Sequence, residues 1–116
     1  MDQATLDRLR DQLSDERNNL MTQLVDMGVD PKTGTPDEMQ FEQGFADSGQ
    51  ATADKARLLS IAEGLVGMLQ EVDAALERMN NGTYGRCESC GAEIPPERLD
   101  ARPVANLCVE CKKRHG

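Results

Sequence analysis

From Leu58 to Gly82 the chain reads LLSIAEGLVGMLQEVDAALERMNNG. Within it Leu58, Ala62, Leu65, Leu69, Val72, Leu76 and Met79 recur at alternating steps of 4 and 3 residues. That is an a/d heptad seam, the pattern that packs helices side by side. Leu59, Ile61, Val66 and Met68 widen the apolar face beyond a bare seam. Gly64 and Gly67 each cost about 1 kcal/mol against Ala in a helix, a cost that close helix approach would offset. Asn80-Asn81-Gly82 supplies a stop.

Working toward the N-terminus, Leu6, Leu9, Leu13, Leu20, Leu24 and Met27 form a second helical stripe. Asp2 is its expected N-cap and Gly28 its expected stop. Between the stripes, Pro31, Gly34 and Pro36 cluster with Asp30, Thr33 and Asp37, which is turn chemistry. A short turn starting at Thr35-Pro36-Asp37-Glu38 would bring Phe41 and Phe45 together. Two amphipathic helices joined by a loop predict an antiparallel hairpin, because each stripe needs a partner. Such a hairpin satisfies itself within one chain, so a monomer is expected; a parallel dimer through the second helix is the alternative.

The chain changes character after residue 83. Residues 1–83 carry 7 basic and 16 acidic side chains, whereas 84–116 carry 6 and 5, and all 4 cysteines lie in the later segment. The fold class expected is mainly α: a two-helix coiled-coil hairpin over 1–83, with helices at about 3–27 and 50–80 and a loop at 28–49, then a four-cysteine module over 84–116 with a short C-terminal helix. With 116 residues and a net charge of -8, general DNA binding is disfavoured, since phosphate contacts need clustered Lys and Arg. No run approaches the ~18 apolar residues of a membrane span. No charged-then-apolar leader follows Met1, so a cytoplasmic protein is expected.

Cys87-Glu88-Ser89-Cys90 and Cys108-Val109-Glu110-Cys111 are two Cys-x2-Cys pairs. Their separation fits a four-cysteine zinc site. A two-residue gap lets two thiolates grip one ion from a tight turn, and the second pair completes a tetrahedron. Gly85 and Gly91 flank the first pair, as a tight knuckle requires. One structural Zn²⁺ is therefore expected on Cys87, Cys90, Cys108 and Cys111. Four thiolates close the shell, which argues against a catalytic zinc with an open position and against an enzyme. His115 could replace a ligand, although four cysteines already suffice. A redox dithiol would call for a βαβ setting that neither pair has. Two disulfides would call for an oxidising compartment.

The residues around these cysteines carry a resemblance. Gly82-Thr83-Tyr84-Gly85-Arg86-Cys87-Glu88-Ser89-Cys90-Gly91 leads to Glu93-Ile94 and Arg98-Leu99-Asp100-Ala101-Arg102-Pro103, then to Ala105-Asn106-Leu107-Cys108-Val109-Glu110-Cys111-Lys112. This string is similar to the zinc finger of the DksA/TraR family of bacterial transcription regulators. The resemblance implies direct binding to RNA polymerase without DNA contact, by a coiled-coil hairpin that enters the secondary channel and brings an acidic tip near the active site.

The family's tip motif resembles Asp-x-Ala-Asp-x-Ala, and the matching stretch here is Gly44-Phe45-Ala46-Asp47-Ser48-Gly49. Asp47 and Gly49 are thus the implied tip contacts. Gly44 stands where the first tip carboxylate would be, with Glu42 the nearest acidic neighbour. Asp47-Ser48-Gly49-Gln50 also reads as a capping box. Some family members act jointly with ppGpp through basic side chains. The corresponding helix positions here are Gly64 and Glu71, neither basic, and only Lys112 matches, so ppGpp synergy by that route is not implied. Lys112, with Lys113 and Arg114, could instead meet an acidic polymerase surface. Two other function classes fit the same organisation: a zinc-capped helical adaptor for another protein, and a thiol redox or metal-transfer protein.

Overall fold

The computed structural model describes residues 1–34 and 51–115, which contain four helices: α1 (Gln3–Asp26), α2 (Ala51–Asn81), α3 (Pro96–Ala101) and α4 (Val109–His115). Phe41, Glu42, Phe45, Asp47 and Gly49 lie outside the described residues. No strand occurs among those described; one isolated antiparallel bridge pairs Arg86 with Glu93. No described helix is long and apolar enough to cross a membrane.

Asp2 caps α1 as its position suggests. Its Oδ1 accepts from the Thr5 backbone N–H at 2.8 Å, which satisfies one of the helix's orphan donors; the Thr5 side-chain hydroxyl and then this N–H hold the Asp2 carboxyl below its ordinary range. Both long helices end in the same way. Gly28 N donates to Val25 O at 2.9 Å and Val29 N to Leu24 O at 2.9 Å. Gly82 N donates to Met79 O at 3.3 Å and Thr83 N to Arg78 O at 2.9 Å. These are Schellman closures, with glycine at the left-handed position (φ 79° and 75°). Val29 and Leu24, the two positions that carry an apolar contact in this motif, are both buried.

The described chain forms two compact units. One comprises Met1–Glu16 and Glu71–Gly116. Its core holds Leu9 and Leu13 from α1, Val72, Ala75 and Met79 from α2, Leu99 from α3, and Ile94 and Ala105 from the connecting segments. The other comprises Arg17–Gln70, with Leu20, Leu24, Val29, Ala62 and Leu69 buried. Each unit draws buried side chains from both α1 and α2. The turn after Val29 is set by Asp30, whose Oδ1 accepts from Lys32 N at 2.9 Å and whose backbone O accepts from Gly34 N at 2.8 Å. A Cβ on Gly34 would lie 3.4 Å from Val66 Cγ1, so the chain passes close against α2 there.

Two features of α2 differ from the sequence expectation. Ile61 and Met68 are 52% and 48% exposed rather than part of the packed face. Gly64 and Gly67 do not serve close helix approach among the described residues, because a Cβ at either would meet nothing within 4 Å.

Candidate metal centre

The first cysteine pair sits on a hairpin-like turn. Cys87 N donates to Ala92 O at 2.8 Å, Gly91 N to Cys87 O at 2.9 Å, and Ile94 N to Gly85 O at 2.7 Å. Gly91 has φ 76° at the point where the turn doubles back. The second pair is built differently. Cys108 immediately precedes α4 and Cys111 lies in its first turn, with Lys112 N donating to Cys108 O at 2.9 Å.

Together these elements bring the four sulfurs within 4.8 Å of one another. Cys90 Sγ and Cys108 Sγ are 3.7 Å apart. Four sulfurs about 2.3 Å from a tetrahedral zinc lie about 3.8 Å from each other, so the set fits that ion. Cys87 and Cys111 are buried, Cys108 is half-buried and Cys90 exposed. The Cys108 backbone N–H, aided by those of Cys90 and Ser89 against the effect of burial, brings the Cys87 thiol down to about 6. The neighbouring sulfurs of Cys108 and then Cys87 push Cys111 up to about 12. Sulfurs this close cannot all carry charge unaided; a divalent cation favours the thiolates and displaces their protons. The four would hold one Zn²⁺ as a closed structural site, with no position left for a substrate.

Three side chains to which the sequence assigns no role of their own hold the segment that feeds Cys108. Tyr84 donates its hydroxyl to Pro103 O at 2.7 Å, Arg78 Nη2 approaches Val104 O at 3.4 Å, and Arg98 Nε donates to Leu107 O at 3.1 Å. Burial pushes the Tyr84 phenol up to about 12, with Arg78 opposing and Asp100 adding to the rise. Arg98 is carried by α3, a helix the sequence reading omitted. Pro95-Pro96-Glu97 was a usable signal for it, since proline is favoured at the first helical position; here Pro96 occupies it and Leu99 is buried below.

The remaining expected positions are also placed. Glu71 Oε2 pairs with Arg102 Nη2 at 3.3 Å on the surface. Lys112 is exposed on α4.

Comparison with known proteins follows the same lines. The model of the prokaryotic dksA/traR C4-type zinc finger matches residues 82–115. The RNA polymerase-binding transcription factor DksA of Escherichia coli K12 is 31% identical over 110 residues, covering 92% of this chain. The chain spans 64% of that relative's length. An uncharacterized protein of Aquifex aeolicus is 30% identical over 111 residues, covering 96% of this chain and 76% of its own length. The solved structure of transcription factor DksA2 from Pseudomonas aeruginosa superposes with a TM-score of 0.78 at 30% identity, over 99% of this chain and 85% of that one. With the finger, the helices before it and near full-length likeness in agreement, the chain belongs to the DksA/TraR family.

Proposed function

We propose that this protein binds bacterial RNA polymerase and alters transcription initiation as a non-enzymatic regulator. The observation that carries the reading is the likeness over 92% of the chain to a factor named for binding RNA polymerase. The acidic helical arm, 1–83, is the part directed at the enzyme, and the zinc module, 84–116, gives that arm a fixed end. The arm enters the secondary channel, with Asp47 and Gly49 at its tip and Lys112 as a further contact. The action is steric and electrostatic: the acidic arm occupies the channel, and the tip charge perturbs a site where Mg²⁺ and nucleotide are held by oxygen ligands. The protein works in the cytoplasm as a monomer, makes no DNA contact of its own, and lacks the familiar route to ppGpp synergy, since Gly64 and Glu71 offer an anion no basic side chain and only Lys112 matches.

Asp47→Asn tests the tip. The substitution preserves size and a hydrogen-bonding oxygen, and Asn caps helices about as well as Asp. Only the charge is lost. At equal polymerase occupancy the variant should leave open-complex lifetime closer to that of polymerase alone than the wild type does. Equal effects from both proteins would mean that the tip charge plays no part.

A further inference from the structure

Arg78, near the end of α2, reaches toward both cysteine pairs. Its Nη1 lies 3.5 Å from Glu88 Oε1 and its Nη2 lies 3.4 Å from Val104 O. The Glu88 carboxylate uses its other oxygen, Oε2, to accept from Asn106 Nδ2 at 3.0 Å. The same two residues are joined through the backbone, Glu88 N donating to Asn106 O at 2.9 Å. Glu88 stands between Cys87 and Cys90, and Asn106 stands two residues before Cys108. A residue inside the first pair is therefore fastened twice to the segment entering the second pair, and Arg78 fastens both to the helix.

Two side-chain ion pairs elsewhere in this unit are of a different kind. Arg8–Asp100 has side chains 49% and 47% exposed, and Arg102–Glu71 has 58% and 52%. Neither involves a residue between or beside the cysteines, and solvated pairs of that sort contribute little. In the Arg78–Glu88 pair the carboxylate is 52% exposed, but the Arg78 side chain is only 12% exposed. Its planar fork can serve a carboxylate and a carbonyl at once, which a lysine cannot do in the same geometry.

We propose that Arg78, Glu88 and Asn106 are positioning residues that preset the separation of the two cysteine pairs and so retain the zinc. Metal leaves such a site by stepwise loss of thiolates, and the accessible edge here is exposed Cys90 with half-buried Cys108, 3.7 Å apart. A sulfur that lifts from the ion is held near it by the Glu88–Asn106 link and rebinds. When the link is cut, the second pair swings away and a competing chelator captures the ion.

The test uses the full zinc-loaded chain with Arg78→Met, Glu88→Ala, the double variant and Arg102→Gln as a control that removes one surface cation. Zinc release to an excess of a metallochromic chelator is followed, and each protein is also loaded with Co²⁺ for its absorption bands. Each single variant should release zinc about tenfold faster, the lower end of the effect of removing partners around metal ligands. The double variant should be no faster than the faster single one, since both cut one chain of contacts. The control should match the wild type, and the Co²⁺ bands should stay those of a tetrahedral four-thiolate site. If Arg78→Met fails to fold, Glu88→Ala, at an exposed residue, still decides the matter. Wild-type release rates in the singles, a multiplicative double variant, an equally fast control or altered Co²⁺ bands would each overturn the proposal.

Discussion

Removal of zinc, by chelation or by Cys108→Ser, is expected to unfold residues 84–113. Zinc binding at four-thiolate sites is worth about 10–16 kcal/mol, and the serine hydroxyl is a poor replacement for a soft thiolate. The segment's own apolar content cannot compensate. Apart from two of the cysteines, its buried side chains are Ile94, Leu99 and Ala105. A large aliphatic side chain contributes about 1.5–3 kcal/mol when fully buried, whereas ordering each residue's backbone costs about 1–2 kcal/mol. Amide hydrogen exchange reads the outcome directly. The amides of Cys87, Gly91 and Lys112, which are bonded to Ala92 O, Cys87 O and Cys108 O, should lose protection on metal removal. Protected amides at these positions in metal-free protein with four free thiols would contradict the account.

Leu69→Asp is expected to destabilise the fold by several kcal/mol, because Leu69 is 4% exposed and an unpaired carboxylate in an apolar site is strongly disfavoured. Ile61→Asp, two turns earlier on the same helix, should change stability by no more than about 0.5 kcal/mol, since Ile61 is 52% exposed. Thermal or urea melts of the two variants compare them under identical conditions. Equal losses would mean that α2 buries the Ile61 side as deeply as the seam.

The contrast between these residues shows what a sequence can and cannot carry. Ile61 and Met79 are 18 residues apart, about five helical turns, so they lie on the same side of α2. Met79 is 5% exposed and Ile61 is 52%. Periodicity assigns both to one face; only the partner present at each level of the helix decides which is covered. The helix ends were legible for the opposite reason. Gly28 and Gly82 close their helices through hydrogen bonds within a few residues of themselves, and such local chemistry is written in local sequence. Val29 falls in the 28–49 loop by pattern, because its burial follows from the closure at Gly28 rather than from any stripe.

The metal centre was legible because zinc demands four soft ligands in a tight pattern of spacing, which two Cys-x2-Cys pairs at this separation supply. Its supports were not. Tyr84, Arg78 and Arg98 bond to the backbone oxygens of Pro103, Val104 and Leu107. A carbonyl is present at every residue, so no sequence pattern marks which ones will be used. The helix carrying Arg98 could have been recovered from Pro95-Pro96-Glu97, had the proline pair been read as a helix start rather than passed over between the cysteine pairs.

The most direct measurement is size-exclusion chromatography of the zinc-loaded protein with purified bacterial RNA polymerase core, with zinc quantified across the fractions. A DNA-independent complex carrying one copy of this chain and one zinc per polymerase is the predicted result. Folded, zinc-loaded protein that elutes wholly apart from polymerase at micromolar concentrations of both would contradict the account.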